Sequence, residues 1–563
     1  MSKKLLAALA LIAGACSTPP APPAPPPVEK PAPATATFSA ITYDGHDAVF
    51  DAKKAGPGDY LNPIRQGYYP DPSILRVGED YYLVNSSFTH FPGLPIFHSK
   101  DLVHWSQIAN AIARPSQVHF DKLEVSKGLF APALSFHDGT YTIINTCVGC
   151  GENFIITAKN PAGPWSDPIW LPFEGIDPSL FFDHDGKAYI VNNGAPEGEP
   201  LYQGHRAIWM QEVDLAAGKM VGPRQVLVNG GVDIKKKPIW IEGPHQFYAK
   251  GWYYLMCAEG GTAEDHSEVI FRSKKLWGPY APYKANPILT QRDLYPDREF
   301  PVTSTGHAEL VETQKGQWFA VFLGTRPYEH NLYNTGRETF MLPVTWKNGW
   351  PVILKKGKHV PFVVKRPPLP AEAGPLQSGN FSFQETFADG KLGLNWLTIR
   401  TPQETWYSID KAALALKARP EAIGGNGNAS FLALRQQHAD ASLSTTLSFA
   451  PKIDGERAGL VAFQNSNFFY FLGEVRESGK LSVCVTKRAS KEEPVNGTPL
   501  ACAPTPEGPL TLKIAVKGGK TDFLYGSGGA LTALLKDADA TILSTQKAGG
   551  FVGTVIGPYA YTP

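Results

Sequence analysis

Four things are scarce in this sequence, and each scarcity excludes something. Charge of one sign is the first: 53 Lys and Arg stand against 52 Asp and Glu, a net charge of +1. A chain so balanced has no electrostatic footprint for nucleic acid or any other polyanion. Long apolar runs are the second. The stretch from Leu5 to Ala15 is too short to cross a bilayer. Helical periodicity is the third, and without it the body is neither a helix bundle nor an α/β fold. Cysteine is sparse too, six in 563 residues. Cys147-Val-Gly-Cys150 reads as a small-loop disulfide, as inert thiols or as half of a zinc site, and no second Cys pair or His cluster at metal spacing completes the last.

What is present begins with a basic start, Lys3-Lys4, the short apolar run and the small residues Ala13-Gly-Ala, which together make a secretory signal over residues 1–15. Ala13-Gly-Ala-Cys16 resembles a bacterial lipobox, in which the cysteine becomes the lipid-bearing first residue, and Ser17 suits outer-membrane sorting. Such boxes usually carry Leu where Ala13 stands, so ordinary cleavage after Ala15 is the alternative. Residues 16–40 read as a Pro/Ala-rich linker, stiff and extended. The expectation is an exported protein, periplasmic or anchored to the outer membrane of a Gram-negative bacterium, touching the membrane only through a lipid on Cys16. Cys484 and Cys502 occupy similar places on successive strand-like runs and are candidates for a disulfide; Cys257 reads as a buried free thiol.

The body is organised by a repeat. Asp71-Pro-Ser-Ile-Leu leads through Gly78 to Tyr81-Tyr-Leu-Val; Ala131-Pro-Ala-Leu leads through Asp138-Gly to Tyr141-Thr-Ile-Ile. Asp177-Pro-Ser-Leu, Glu242-Gly-Pro-His and His307-Ala-Glu-Leu each lead likewise through a glycine to an aromatic-rich run. Every copy is a strand, a tight turn and a second strand. Copies about sixty residues apart leave room for a four-stranded sheet each, so residues 55–360 are predicted to form a five-bladed β-propeller, an architecture that protects sheet edges radially. The leading strand of each blade lines the axis. Asp71, Ala131, Asp177, Glu242 and His307 are therefore expected to converge. Three carboxyls and an imidazole gathered in one pocket are costly unless they serve chemistry, because the like-charged carboxylates repel and desolvation penalises every charged group.

Two carboxyl groups of unequal basicity across a pocket supply a general acid and a general base, the pair that glycoside hydrolysis needs. A third carboxylate near the acid would keep it protonated. Tyr-Pro-Asp71-Pro-Ser, Ile176-Asp-Pro-Ser-Leu, Ile241-Glu-Gly-Pro-His and Gly336-Arg-Glu-Thr-Phe are similar to the signatures of glycoside hydrolase family 43, and the resemblance runs from about Asn62 to the C-terminus. It implies Asp71 as general base, Asp177 as the residue that tunes pKa and orients, Glu242 as general acid and Arg337 on sugar hydroxyls. His307 matches the family's central histidine, beside which a Ca2+ or a water often sits; no other cofactor is implied. His245, three residues after Glu242, reads equally as a neighbour of the acid and as a packing residue. Ser86-Ser-Phe-Thr-His-Phe-Pro-Gly93 is expected at the pocket rim, with His90 and Phe91 against substrate. Several similar xylosidases carry Trp where His90 stands, so xylose and arabinose both remain open as the released sugar.

The repeat stops near Lys356, a proline-rich connector spans 361–375, and residues 376–563 return to alternating strands such as Leu510-Thr-Leu-Lys-Ile-Ala-Val516. These read as a β-sandwich of jelly-roll, concanavalin-like type. The segment resembles the C-terminal module of the exo-acting xylosidase branch of the family, whose Phe reaches over the propeller mouth; Gly549-Gly-Phe-Val-Gly553 matches it and implicates Phe551. Taken together, the resemblance implies an inverting, exo-acting hydrolase releasing terminal xylose or arabinose from xylo- or arabino-oligosaccharides, a β-xylosidase first and an α-L-arabinofuranosidase or bifunctional enzyme as alternative. A non-catalytic sugar-binding propeller is the rival of another class, and it would not need a buried acid trio.

Overall fold

Short strands make up nearly all the regular structure in a computed structural model that describes residues 33–374 and 376–563. The signal-like segment and Cys16 lie outside the described residues, as does most of the spacer. Five antiparallel sheets follow one another, led by Ser73–Val77, Ala133–His137, Ile176–Phe182, Glu242–Ala249 and Thr303–Glu312. Each leading strand turns back through a left-handed glycine: Gly78, Gly139, Gly186, Gly251 and Gly316. That backbone conformation costs glycine nothing and most residues a good deal, which is why the repeat carries Gly there. The leading strands pack one against the next and the fifth against the first, closing a five-bladed propeller.

Closure comes from the chain ahead of the first blade. Asp59–Leu61 pairs with Val363–Lys365, and Arg65 bridges Thr339 on the outer strand of the fifth blade. Between them the Asn62 side chain accepts from Met341 N and donates to Met341 O, both at 2.9 Å, standing in for a strand partner. The fifth blade's outer edge is thereby covered rather than left as an unpaired template.

The second domain is a sandwich of an eight-stranded and a seven-stranded sheet around Phe38, Leu443, Leu460, Leu472, Leu512 and Ile514. One of its inner strands is Thr35–Gly45, paired with Asp440–Phe449 and Ala413–Lys417. The linker assigned to residues 16–40 therefore ends too late. Ala36, Phe38, Ile41 and Tyr43 are buried in alternation, which composition counts of Pro and Ala conceal. Cys484 and Cys502 face each other on adjacent strands and are bonded, Cys147 and Cys150 are bonded across their turn, and Cys257 is free and buried.

Propeller and sandwich belong to one compact unit, Pro33–Pro563. Tyr68, Phe88 and Val125 of the propeller share a core with Ile399, Phe463, Phe469 and Val552 of the sandwich. Strand His90–Phe91 pairs with Thr398–Ile399 across the same boundary. The sandwich is thus held against the face of the propeller on which the leading residues open.

Candidate active site

A sharp turn into four of the five leading strands positions the site. Asp71, Asp177 and His307 have φ of 50°, 53° and 51°, and in the fourth blade Gly243 takes the same conformation at 53°. Register shifts mark the strand starts at Ile176/Ser179, Glu242/His245 and Thr303/Gly306. Such bulges re-aim side chains, and Asp and His tolerate the left-handed region better than most residues. The turn holding Asp71 is fixed by Asn85, whose amide donates to the carbonyls of Tyr69 and Pro70 at 3.0 Å each.

All five leading residues line one cavity of about 300 Å³ together with Phe88, Phe130, Ile176, Trp240, Gly261, Thr262, Arg337 and Phe551. A volume at the lower end of small-molecule sites suits a chain end. A larger hollow of about 800 Å³ lies on the sandwich sheet around Lys513, Lys517 and Asp522, away from these carboxyls. Size does not make it the site, because the chemistry is gathered in the smaller one.

The three carboxyls are buried alike and differ in their neighbours. Asp71 accepts from Arg337 Nη1 at 3.0 Å and Ser86 Oγ at 2.6 Å, with His307 Nδ1 at 3.8 Å. Burial alone would raise its pKa; the Arg337 charge, His307 and the Ser86 hydroxyl outweigh it and hold Asp71 below the ordinary carboxylate value. Glu242 has no such cation against it. Burial, then the charges of Asp177 and Asp71, push it well above its usual value. Asp177 is raised too, by burial first and Asp71 second, although the Gly243 N–H and Arg337 pull it down. One cavity therefore holds a carboxylate kept ionised and a carboxylic acid kept protonated.

His307 is driven by burial to about 4 and is a neutral imidazole. Among the described residues no three His, Cys, Asp or Glu side chains come together to hold a metal ion, so those around His307 do not by themselves make a cation site.

Phe551 arrives from the sandwich. Its ring stacks on Phe88 at 5.9 Å and meets Phe130 edge-on at 5.8 Å, while the Arg337 guanidinium lies 5.5 Å from its centre. The loop carrying it is pinned on both sides: Phe551 N donates to Ser126 Oγ at 2.9 Å and Thr554 N to Asn334 O at 2.8 Å. Gly553 and Gly336 touch backbone to backbone, and a Cβ on Gly553 would sit 2.8 Å from Gly336 N. Glycine is required here by close approach.

Two of the expected substrate contacts lie elsewhere, and His245 takes the packing role that was one of its two readings. His90 is fully buried against Tyr68, its ring centre 5.4 Å away, and Phe91 packs in the core between the first two blades. Strand pairing with Thr398–Ile399 draws both into the domain boundary, and the rim stretch presents Phe88 to the cavity instead. His245 is set aside from the cavity lining, its Nδ1 3.1 Å from Glu309 Oε1, whose partner oxygen accepts from Ile74 N. It ties the fourth, fifth and first blades. Phe88, Phe130 and Trp240 are the liners that sequence reasoning missed. Phe88 stood inside the quoted rim stretch and Trp240 two residues before Glu242, but neither carries a motif.

Comparison with known proteins agrees with this geometry. Residues 60–351 match the family described as Glycosyl hydrolases family 43, and residues 384–563 match the Beta xylosidase C-terminal Concanavalin A-like domain. The chain is 39% identical over 509 residues to a xylosidase/arabinosidase of Butyrivibrio fibrisolvens, covering 89% of this chain and 95% of the relative. It is 38% identical over 511 residues to a non-reducing end alpha-L-arabinofuranosidase of Bacteroides ovatus, covering 89% and 91%. A crystal structure of a GH43_12 protein retrieved from capybara gut metagenome superposes with a TM-score of 0.88 at 41% identity, over 94% of this chain and all of that one.

Proposed function

We propose, from the premise that the chain belongs to glycosyl hydrolase family 43, that it releases terminal xylose from the non-reducing ends of xylo-oligosaccharides. The observation that carries this reading is the opposite displacement of two carboxyls in one small cavity, Asp71 downward and Glu242 upward. Glu242 gives its proton to the glycosidic oxygen as the bond breaks. Asp71, ionised, takes a proton from a water that attacks the anomeric carbon from the other side, and the configuration inverts. Asp177 adds negative charge beside Glu242 and keeps the acid protonated. Arg337 holds Asp71 ionised and has its Nε without a protein partner, facing the task of binding sugar hydroxyls.

Phe551, Phe88 and Phe130 form an apolar wall against which the carbon face of a pentose can stack. With the sandwich loop across the mouth, a chain end enters and a chain middle does not. Arabinofuranose is the second reading, favoured by the likeness to the arabinofuranosidase of Bacteroides ovatus. Purified protein assayed on nitrophenyl β-xyloside and nitrophenyl α-L-arabinofuranoside side by side separates the two, and hydrolysis of neither would overturn the proposal. We propose further that Cys16 carries the lipid that keeps the enzyme on the membrane, on the strength of the signal, lipobox and spacer in sequence.

A further inference from the structure

Trp240 stands two residues before Glu242 and is built as a fixed object at the cavity mouth. Its φ is 50°, a conformation bulky aromatics rarely adopt and one that gathers at functional sites. Its backbone N–H donates to Gly204 O at 3.0 Å. Gly204 lies flush against it, since a Cβ there would stand 3.6 Å from Trp240 Cδ1 and 3.0 Å from Ile239 Cγ2. The Arg206 guanidinium sits 4.8 Å over the ring and is itself held by Asn193 Oδ1, at 3.1 Å from Nε and 2.9 Å from Nη2. Asn193 completes the link by donating to Ile241 O at 2.6 Å. For all this support the ring joins none of the hydrophobic cores; it lines the cavity and remains 38% exposed, with Ile239 beside it at 48%.

We propose that Trp240, with Ile239 beside it, is the platform on which the departing sugar ring stacks, the specificity-determining residue for the leaving group. The inference rests on the proposed hydrolase reading. A general acid must sit at the glycosidic oxygen, between the ring that is released and the ring that departs. Phe88, Phe130 and Phe551 enclose the first of these. The second lies outward of Glu242, where Trp240 is the aromatic surface lining the cavity and open to solvent. A sugar's carbon face stacks on such a ring, and a rigid ring loses little freedom in accepting it. The leaving group is thus a further pentose or hexose unit rather than a small alcohol.

The test compares wild type, Trp240→Ala and Trp240→Phe on the pentosyl disaccharide the wild type cleaves and on the methyl glycoside of the same terminal sugar. Both leaving groups need the proton of Glu242, but only one offers a ring. Trp240→Ala is expected to lower kcat/KM on the disaccharide on the order of tenfold, the size of one lost aromatic contact, and to leave the methyl glycoside within about twofold. Trp240→Phe retains most of the disaccharide activity, and inhibition by the free pentose is the same in all three. An unchanged disaccharide rate in Trp240→Ala, or equal losses on both substrates, would overturn the platform and leave the hydrolase standing. A wild type inactive on pentosyl disaccharides and nitrophenyl pentosides alike would overturn the hydrolase reading itself.

Discussion

Arg337 Nη1 donates to Asp71 Oδ1 at 3.0 Å, and both side chains are only 6% exposed. Two repeats' worth of meaning meet in this contact: the carboxylate of the first blade is ionised because the last blade brings a guanidinium to it. Removing one member of a buried pair leaves the other uncompensated.

The pair sets a pH dependence with a definite sign. Asp71 must be ionised to act, and its pKa is depressed, so kcat/KM rises as pH climbs through a value below the ordinary 3.8. Glu242 must be protonated, and its pKa is raised above the ordinary 4.5, so the rate falls at a pH well above that value. Arg337→Met removes the largest lowering influence on Asp71 and should move the acid limb to higher pH. Measured profiles of kcat/KM in both proteins decide this; an acid limb that stays in place would detach Arg337 from the base.

Glu242→Gln and Asp71→Asn should fail differently. Without its acid the enzyme should lose about 10²–10⁴-fold on disaccharides but far less on nitrophenyl glycosides, whose leaving groups need little protonation. Loss of the base should depress both classes alike. Near-normal turnover by Asp71→Asn would assign the base to another residue.

Inversion is read from the first anomer released. Proton NMR of the nascent sugar should show the configuration opposite to the substrate's, and retention would require the two carboxyls to act at about 5–5.5 Å with a covalent intermediate.

The sandwich's part in the pocket can be probed at its backbone. A Cβ at Gly553 would press against Gly336 N and Thr335 O at 2.8 Å, so Gly553→Ala must displace the loop that carries Phe551. We expect its KM for oligosaccharides to rise as in Phe551→Ala, by up to about tenfold, with the thermal midpoint used to check that the fold persists. Wild-type kinetics in both variants would make the sandwich a passenger.

Anchoring is tested by fractionation. Cys16→Ser should move activity from the membrane to the soluble fraction at unchanged specific activity, because a lipoprotein's several acyl chains bind stably where one binds only marginally. Wild-type protein found soluble from the outset would favour cleavage after Ala15.

The propeller and its leading residues were legible because a blade is a local object. Strand, glycine turn and aromatic strand lie within some twenty residues, and four of the five copies share a left-handed entry at Asp71, Asp177, Gly243 and His307 that aims Asp71, Asp177, Glu242 and His307 inward. Sequence by itself determined which side chains share the axis. It even held the alternation of Ala36, Phe38, Ile41 and Tyr43, although the strand they pair with, Asp440–Phe449, lies about four hundred residues on. Tertiary structure alone decided which parts of the rim face the cavity. His90 and Phe91 turned into the domain boundary because a two-residue strand of the sandwich claimed their backbone. Phe88 and Trp240 turned to the cavity because contacts from Phe551 and Arg206, distant or loop-borne, hold them there. A repeat declares its axis in its spacing; a surface between two domains is made by residues that meet only once both have folded.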